Sequence, residues 1–332
     1  MPVTMREVAL AANVSIQTVS NVVNERPIVA DDTRLRVLST MQRLGYQPNA
    51  LAQSLRANRA QTIGLVFARS ERRTFVRKPY LNELLSGFAD ATRDTDYSLL
   101  MHSGAENDPA PAILQLYQRR RIDAVILVGV LQADPVIEQV VASAVPTVVI
   151  DLPVEGDDVA GVRADYRAGA AAAVRYLIER GHTAIGYLGG TLDVYSGLER
   201  RLGYWETMTA HGLRSVEVSG GWSREDGCLG MMHLLEQHPN LTAVFAAADP
   251  MAVGALEAAR AAGRHVPDDL AVVGFNDLDL ASLVTPALTT VHVPVYELGI
   301  RAAELLLDRL STGHFTDTDI ILPTHLVIRR SA

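Results

Sequence analysis

Between Ser15 and Asn24 the chain carries Gln17, Thr18, Ser20, Asn21 and Asn24, amides and hydroxyls of the kind that bond base edges and phosphate oxygens without bringing a charge. A second set lies far downstream, at the ends of apolar runs. Asp151 closes TVVID, Asp249 closes TAVFAAAD, and Asn276 with Asp277 closes LAVVGFND. Ligands of open α/β sheets bind beyond the carboxyl ends of the strands, so these positions mark out a pocket. Arg200, in SGLERRLGYW, begins the helix after the strand AIGYLGG, and Trp222 sits in the polar stretch SGGWSRED. Acids, amides, one arginine and one exposed aromatic make a set suited to a sugar-like ligand. Strand-end aspartates also cap helices and turns, and for Asp249 and Asp277 both readings stand.

The first set needs a helix to present it. Val8, Ala9 and Ala12 recur at helical spacing from Met5, and Asn13 breaks that helix. Ser15 is a good N-cap for a second helix, in which Val19, Val22 and Val23 form the buried face while Gln17, Thr18, Ser20, Asn21 and Asn24 stay outside. This is a helix-turn-helix pattern, whose second helix enters the major groove. The bland alternative is a small solvated helical hairpin. Leu35, Leu38, Met41 and Leu44, at three-residue steps, predict a third helix ending at Gly45. In QPNALAQSLRANR, Pro48 stops the preceding structure, Asn49 caps a new segment, and Leu51 and Leu55 share a face. A helix this short is unstable alone, so DNA or a second copy must support it.

Charge divides the molecule. Residues 1–60 sum to +3 in a chain of net charge −8, which leaves −11 on the remainder. A weakly basic module on an acidic body suits a protein that meets phosphate at one end only. The single Cys228 excludes a disulfide framework within one chain. No signal-like start and no apolar run of membrane length occurs, so the expectation is a cytoplasmic protein without a membrane partner.

From about residue 62, short β-branched runs alternate with longer helical stretches, the pattern of βαβ units. Nine strands are predicted: TIGLVFA, YSLLMHS, DAVILVG, TVVID, VAGVRAD, AIGYLGG, TAVFAAAD, LAVVGFND and TTVHVP. The run is too long for one parallel sheet, so the expected fold class is α/β, with two lobes joined by strand crossovers behind an all-α N-terminal module.

With VTMREVA at its start, YQPNALAQSLR as its linker and this core, the chain resembles the LacI/GalR family of bacterial transcription regulators over essentially its whole length. The resemblance implies a helix-turn-helix DNA-binding domain at 1–48, a hinge helix and linker at 49–60, and a two-lobed effector-binding and dimerisation core at 61–332, similar to periplasmic sugar-binding proteins. Lobe crossings are then expected near residues 161, 292 and 323. It implies that a pseudo-palindromic double-stranded DNA operator is bound by a homodimer. Ile16, Gln17 and Asn21 would read bases, with Thr4, Thr18, Ser20, Asn24 and Arg34 at the backbone. Asn49, Leu51, Ala52, Leu55 and Arg56 would contact DNA from the hinge, Leu55 wedging into the minor groove at a cost of a few kcal/mol of stacking that the bend recovers. The alternative for Leu55 is packing on the core.

The same resemblance places Tyr80, Asp151, Arg200, Trp222, Asp249 and Asn276 around a small carbohydrate effector. Arg200 matches the family arginine three residues before a Gly-aromatic pair, and Trp222 falls where sugar-responsive relatives place a stacking aromatic. Pro79, Tyr80 and Leu81 stand where many relatives have Pro-Phe-Phe, so Tyr80 either stacks on ligand or packs under its lobe. Two departures matter: Ala248 replaces an asparagine that often bonds the effector, and Tyr166 follows Asp165 where asparagine is usual. No G-x-G-x-x-G, G-x-S-x-G, Walker or H-E-x-x-H motif occurs, so neither an enzyme nor a metal or cofactor is expected. The reading is therefore an allosteric repressor of carbohydrate-utilisation genes. Its alternatives are a regulator with a purine or nucleoside effector and a cytoplasmic sugar-binding protein without DNA function.

Overall fold

The computed structural model describes residues 3–24, 26–46, 59–67, 79–102 and 110–332. The hinge residues Asn49, Leu51, Ala52, Leu55 and Arg56 lie outside the described residues. The chain divides into two compact units, Met1–Ala60 and Gln61–Ala332.

In the first unit, α1 (Met5–Ala12) opens on a capping box in which Thr4 and Glu7 satisfy each other's backbone amides, and it ends where Asn13 turns left-handed at φ 53°. Helix α2 (Ile16–Val23) is capped by the Ser15 hydroxyl, which accepts from the Thr18 amide at 3.0 Å. Helix α3 (Asp31–Leu44) ends on Gly45 at φ 67°. Val8, Ala9, Ala12, Val19, Val22, Val37 and Tyr46 form the shared core. The face of α3 differs from the expected stripe. Leu35 and Leu38 are exposed, and Val37 and Thr40 are buried with Met41 and Leu44 packed beside them. Three-residue steps fall short of a 3.6-residue turn, so from Leu35 to Leu44 such a stripe rotates to the opposite side of the helix.

The second unit holds two six-stranded sheets. In the first lobe, β1 (Thr62–Phe67), β2 (Ser98–His102), β3 (Ala124–Val128), β4 (Thr147–Ile150), β5 (Val159–Ala164) and a later strand run parallel in the order β11-β5-β4-β3-β1-β2, β11 being Asp319–Leu322. Helices α4 (Pro79–Thr92), α5 (Ala110–Gln118) and α6 (Pro135–Val141) belong to it. Alternate residues of β3 enter opposite faces: Ala124, Ile126 and Val128 join one apolar cluster, Val125 and Leu127 another. That is why the strand is apolar throughout.

The second lobe has β6 (Ile185–Gly189), β7 (Val216–Ser219), β8 (Ala243–Ala246), β9 (Ala271–Asn276), β10 (Thr289–His292) and β12 (His325–Val327), in the order β12-β10-β9-β8-β6-β7. Only β12 is antiparallel to its neighbour. Helices α7 (Tyr166–Glu179), α8 (Tyr195–Ala210), α9 (Arg224–Gln237), α10 (Asp249–Ala261) and the short α11 (Asp279–Leu283) surround it. The chain returns to the first lobe through α12 (Val295–Thr312), which packs on α4. The lobes are thus joined at residue 165, at 293–294 and at 323–324, close to the expected crossings. Strands β7, β11 and β12 were not among those predicted. All three are edge strands of only three or four residues, and the apolar stretches in β11 and β12 are too brief to mark a strand by themselves. Among the described residues no helix is long and apolar enough to cross a membrane.

Helix pairs within each lobe approach through glycine. A Cβ on Gly254 in α10 would stand 2.0 Å from the Arg224 carbonyl, and one on Gly87 in α4 would stand 2.1 Å from the Tyr296 carbonyl of α12. Neither backbone can yield without separating the helices. Gly254→Ala and Gly87→Ala are each expected to destabilise the full chain by about 3 kcal/mol in denaturant titrations. Gly220→Ala, whose Cβ meets nothing nearer than 4.0 Å, is expected to stay within about 0.5 kcal/mol of the parent.

Candidate functional site

The outer face of α2 is narrower than its sequence suggests. Ile16, 46% exposed, stands out with Gln17 and Asn24, and Thr18 is half-buried. Ser20 and Asn21 do not stay outside: they are only 9% and 8% exposed. Both lie one or two residues from the valines that anchor the helix, and in an eight-residue helix the flanks of the apolar face are covered too. Gln17 Nε2 donates to Asn21 Oδ1 at 3.2 Å, so the two amides form a pair reaching from the buried flank to the exposed face. The Asn24 amide donates to the Ser20 carbonyl and lies 3.3 Å from its hydroxyl. Thr4 is engaged in its capping box, and Arg34 Nη2 donates to the Arg26 carbonyl at 2.8 Å, bracing the segment between α2 and α3. Among the described residues, the side chains of Thr4, Gln17, Thr18, Ser20, Asn21, Asn24 and Arg34 expected at DNA therefore each have a protein partner.

In the core, the strand ends of both lobes converge. Asp151, just after β4, adopts φ 61° and accepts hydroxyls from both sides: from Tyr80, on α4 of its own lobe, and from Tyr166, first residue of α7 in the other lobe. Burial pushes the Asp151 carboxyl above its usual range, while the Tyr166 and Tyr80 hydroxyls and then the Arg200 charge pull it back. Burial, followed by the Asp151 charge, holds both phenols far above their ordinary value, so they remain hydrogen-bond donors.

Arg200 lies inside the second lobe, 4% exposed. Its guanidinium carbon sits 4.3 Å from the Phe275 ring centroid, 4.7 Å from that of Tyr166 and 5.5 Å from that of Trp222. Nη1 donates to the Ala247 carbonyl at 2.6 Å, and buried Nε has no partner among the described residues. Trp222 Nε1 donates to Thr191 Oγ1 at 3.1 Å, and the indole lies so close to Gly190 that a Cβ there would come within 2.3 Å of it. Asn276 is 9% exposed at φ 104°, and Ala248 contributes no polar group. Asp277 pairs with Arg329 at 2.7 Å and with His292 at 3.2 Å. The structure brings Tyr80, Asp151, Arg200 and Trp222 into this one region. Tyr166, Phe275 and Thr191 join them without having been proposed, although Tyr166 had been singled out as a departure. A large aromatic at the first helical position after a lobe crossing was the available signal. Among the described residues, no three His, Cys, Asp or Glu side chains are placed to share a metal ion.

Asp249 takes the capping alternative. It is fully buried, and its oxygens accept from the Leu278 amide at 2.7 Å and the Thr290 hydroxyl at 2.5 Å. Burial pushes its carboxyl up to about 7, against the pull of those two donors. Because the folded value lies above the unfolded one, its contribution is complete below about pH 4 and is lost as pH rises towards 7. The stability advantage of the parent over Asp249→Asn is therefore expected to shrink by about 1.4 kcal/mol per unit between pH 5 and 7, and to level off above that, in urea titrations at each pH.

Residues 4–49 match the profile of bacterial regulatory proteins of the lacI family, and residues 174–332 match that of the periplasmic binding protein-like domain. The HTH-type transcriptional regulator CelR of Thermobifida fusca is 33% identical over 334 residues, covering 99% of this chain and 98% of that protein. The HTH-type transcriptional repressor PurR of Erwinia tasmaniensis is 34% identical over 334 residues, covering 99% and 96%. Among solved structures, the Lac repressor dimer bound to operator and the anti-inducer ONPF superposes with a TM-score of 0.86 at 28% identity, covering 100% of this chain and 99% of that one. A CelR–cellobiose complex matches with a TM-score of 0.75 at 30% identity, covering 99% and 100%. Full-length identity at this level, together with the three-helix unit and the two-lobed core, has one consequence: the chain belongs to the LacI family of bacterial transcription regulators.

Proposed function

We propose that the protein is a repressor of carbohydrate-utilisation genes whose grip on a pseudo-palindromic operator is changed by a small, neutral sugar bound between the lobes. The observation that carries the reading is Arg200. A buried guanidinium with one donor unfilled, edged by Trp222 and facing Asp151 across the lobes, suits a ligand rich in hydroxyl acceptors. Asp151 lies near enough to feel the arginine's charge, so acid and base share the pocket and a neutral occupant suits it. The relatives support both halves of the reading, one solved with cellobiose and another with operator.

On the DNA side, Ile16 reaches a thymine methyl while Gln17 and Asn21 read base edges. Thr4, Thr18, Ser20, Asn24 and Arg34 hold the backbone, and Asn49, Leu51, Ala52, Leu55 and Arg56 act from the hinge. A twofold operator requires a dimer, and exposed Leu229, Met232 and Leu283 on the second lobe offer apolar surface for one. The protein then works in the cytoplasm and catalyses nothing.

The test is fluorescence anisotropy of the full chain with DNA from its own upstream region, in a salt series with and without a panel of neutral mono- and disaccharides. Operator affinity is expected to fall steeply with salt and to change when one sugar is added. Arg200→Ala should keep operator binding within about twofold while weakening the sugar roughly 30-fold or more, the loss of a charge-assisted pair. Loss of operator binding in a folded Arg200→Ala protein would show that the arginine serves the DNA-binding state instead.

A further inference from the structure

We propose that the Tyr166 hydroxyl is a latch: by donating to Asp151 it ties the two lobes of the core in their closed arrangement, so Tyr166 is a positioning residue that sets how readily the lobes part. The proposal rests on the reading of this cleft as the effector site, and it concerns which of that site's contacts the protein makes for itself.

Tyr166 is the first residue of α7, immediately after the chain first crosses from β5 into the second lobe. Its ring is 1% exposed and packs against Phe275, 6.2 Å between centroids, and beneath the Arg200 guanidinium. The phenol is thereby fixed in the second lobe while its hydroxyl bonds a carboxylate of the first. Tyr80 fills the other Asp151 oxygen from within the first lobe. Each oxygen of Asp151 thus already accepts from one of the protein's own phenols. Donation to a carboxylate in a desolvated cleft is among the stronger hydrogen bonds available to a tyrosine.

Other contacts show that the lobes are closed on each other where this bond forms. Gln132, in the loop after β3, donates from its backbone amide to the Asp193 carbonyl at 3.0 Å and from its side chain to the Leu192 carbonyl at 3.1 Å, both in the loop after β6. Arg163 of β5 lies 5.8 Å from the Tyr195 ring of α8. These lip contacts are exposed or long and easily exchanged for water. The Tyr166–Asp151 bond alone among them is sheltered, and it alone uses an oxygen that a bound polyol would address. A ligand hydroxyl that takes the second-lobe phenol's place at Asp151 removes this sheltered link, and the lobe arrangement changes with that exchange.

The lips supply the measurement. In a Cys228→Ser background of the full chain, Gln132→Cys with Asp193→Cys places two thiols where the backbones already touch, and the rate of intramolecular disulfide formation under mild oxidant reads closure without sugar or DNA. Removing a hydrogen bond to a carboxylate moves an open–closed ratio by roughly tenfold, so Tyr166→Phe, which keeps the ring under Arg200, is expected to slow cross-linking at least about twofold. Asp151→Asn, acting from the other lobe at a position whose left-handed backbone asparagine tolerates, is expected to slow it likewise and serves should Tyr166→Phe fail to fold. Tyr296→Phe removes a tyrosine–aspartate bond of 2.7 Å to Asp90 inside the first lobe and is expected to leave the rate unchanged. Cross-linking that ignores Tyr166→Phe and Asp151→Asn, or that slows as much with Tyr296→Phe, overturns the latch. A slowed rate in a protein that binds no sugar would keep the latch and refute the effector reading, while an unchanged rate in a sugar-binding protein does the reverse.

Discussion

A buried positive charge organises the second lobe. Arg200 leaves water for a place where it meets three aromatic faces, one backbone carbonyl and the distant field of Asp151. Desolvating a guanidinium costs several kcal/mol unless its surroundings repay it, so each surrounding group is constrained by that cost. Phe275 comes from β9, Ala247 follows β8, Tyr166 opens α7 and Trp222 follows β7. Four separate elements must end in register for the charge to be tolerated. Gly190, against which the Trp222 indole lies, belongs to the same requirement, because any larger residue would displace that ring.

Much of this arrangement was legible in the residues, and the failures have physical reasons. The buried faces of α1 and α2 follow from a 3.6-residue period, and the predicted strands other than the edge strand β2 follow from sheets covered on both sides. The stripe assigned to α3 failed because three-residue steps mimic a helix over one turn and drift off it over three. Ser20 and Asn21 are polar by type yet buried by position, and type alone cannot show which flank of a short helix its neighbours cover. Strand-end geometry found Asp151, Asp249 and Asn276 together, though Asp249 turned inward because Thr290 and the Leu278 amide lie across the sheet, beyond any sequence-local pattern. Tyr166 stood out only as a misfit. A hydroxyl acting across two lobes becomes visible once the crossing at residue 165 has been placed.

Both candidate sites share one energetic property. On α2, Gln17 is bonded to Asn21, Asn24 to Ser20, and Thr18 to Ser15. In the cleft, Asp151 is bonded to two phenols. Apart from the unfilled Arg200 Nε, these polar groups are already paired, so at each pair a partner must exchange internal bonds for external ones, and an exchange of like for like is worth little net free energy. What it supplies is discrimination. A wrong partner that breaks the internal pair without remaking it leaves a desolvated donor or acceptor, a penalty of about 1–3 kcal/mol for each such group. Affinity must then come from elsewhere, from phosphate contacts at one end and from the Arg200 fork and indole face at the other, while the self-satisfied polar pairs set which sequence and which ligand are accepted.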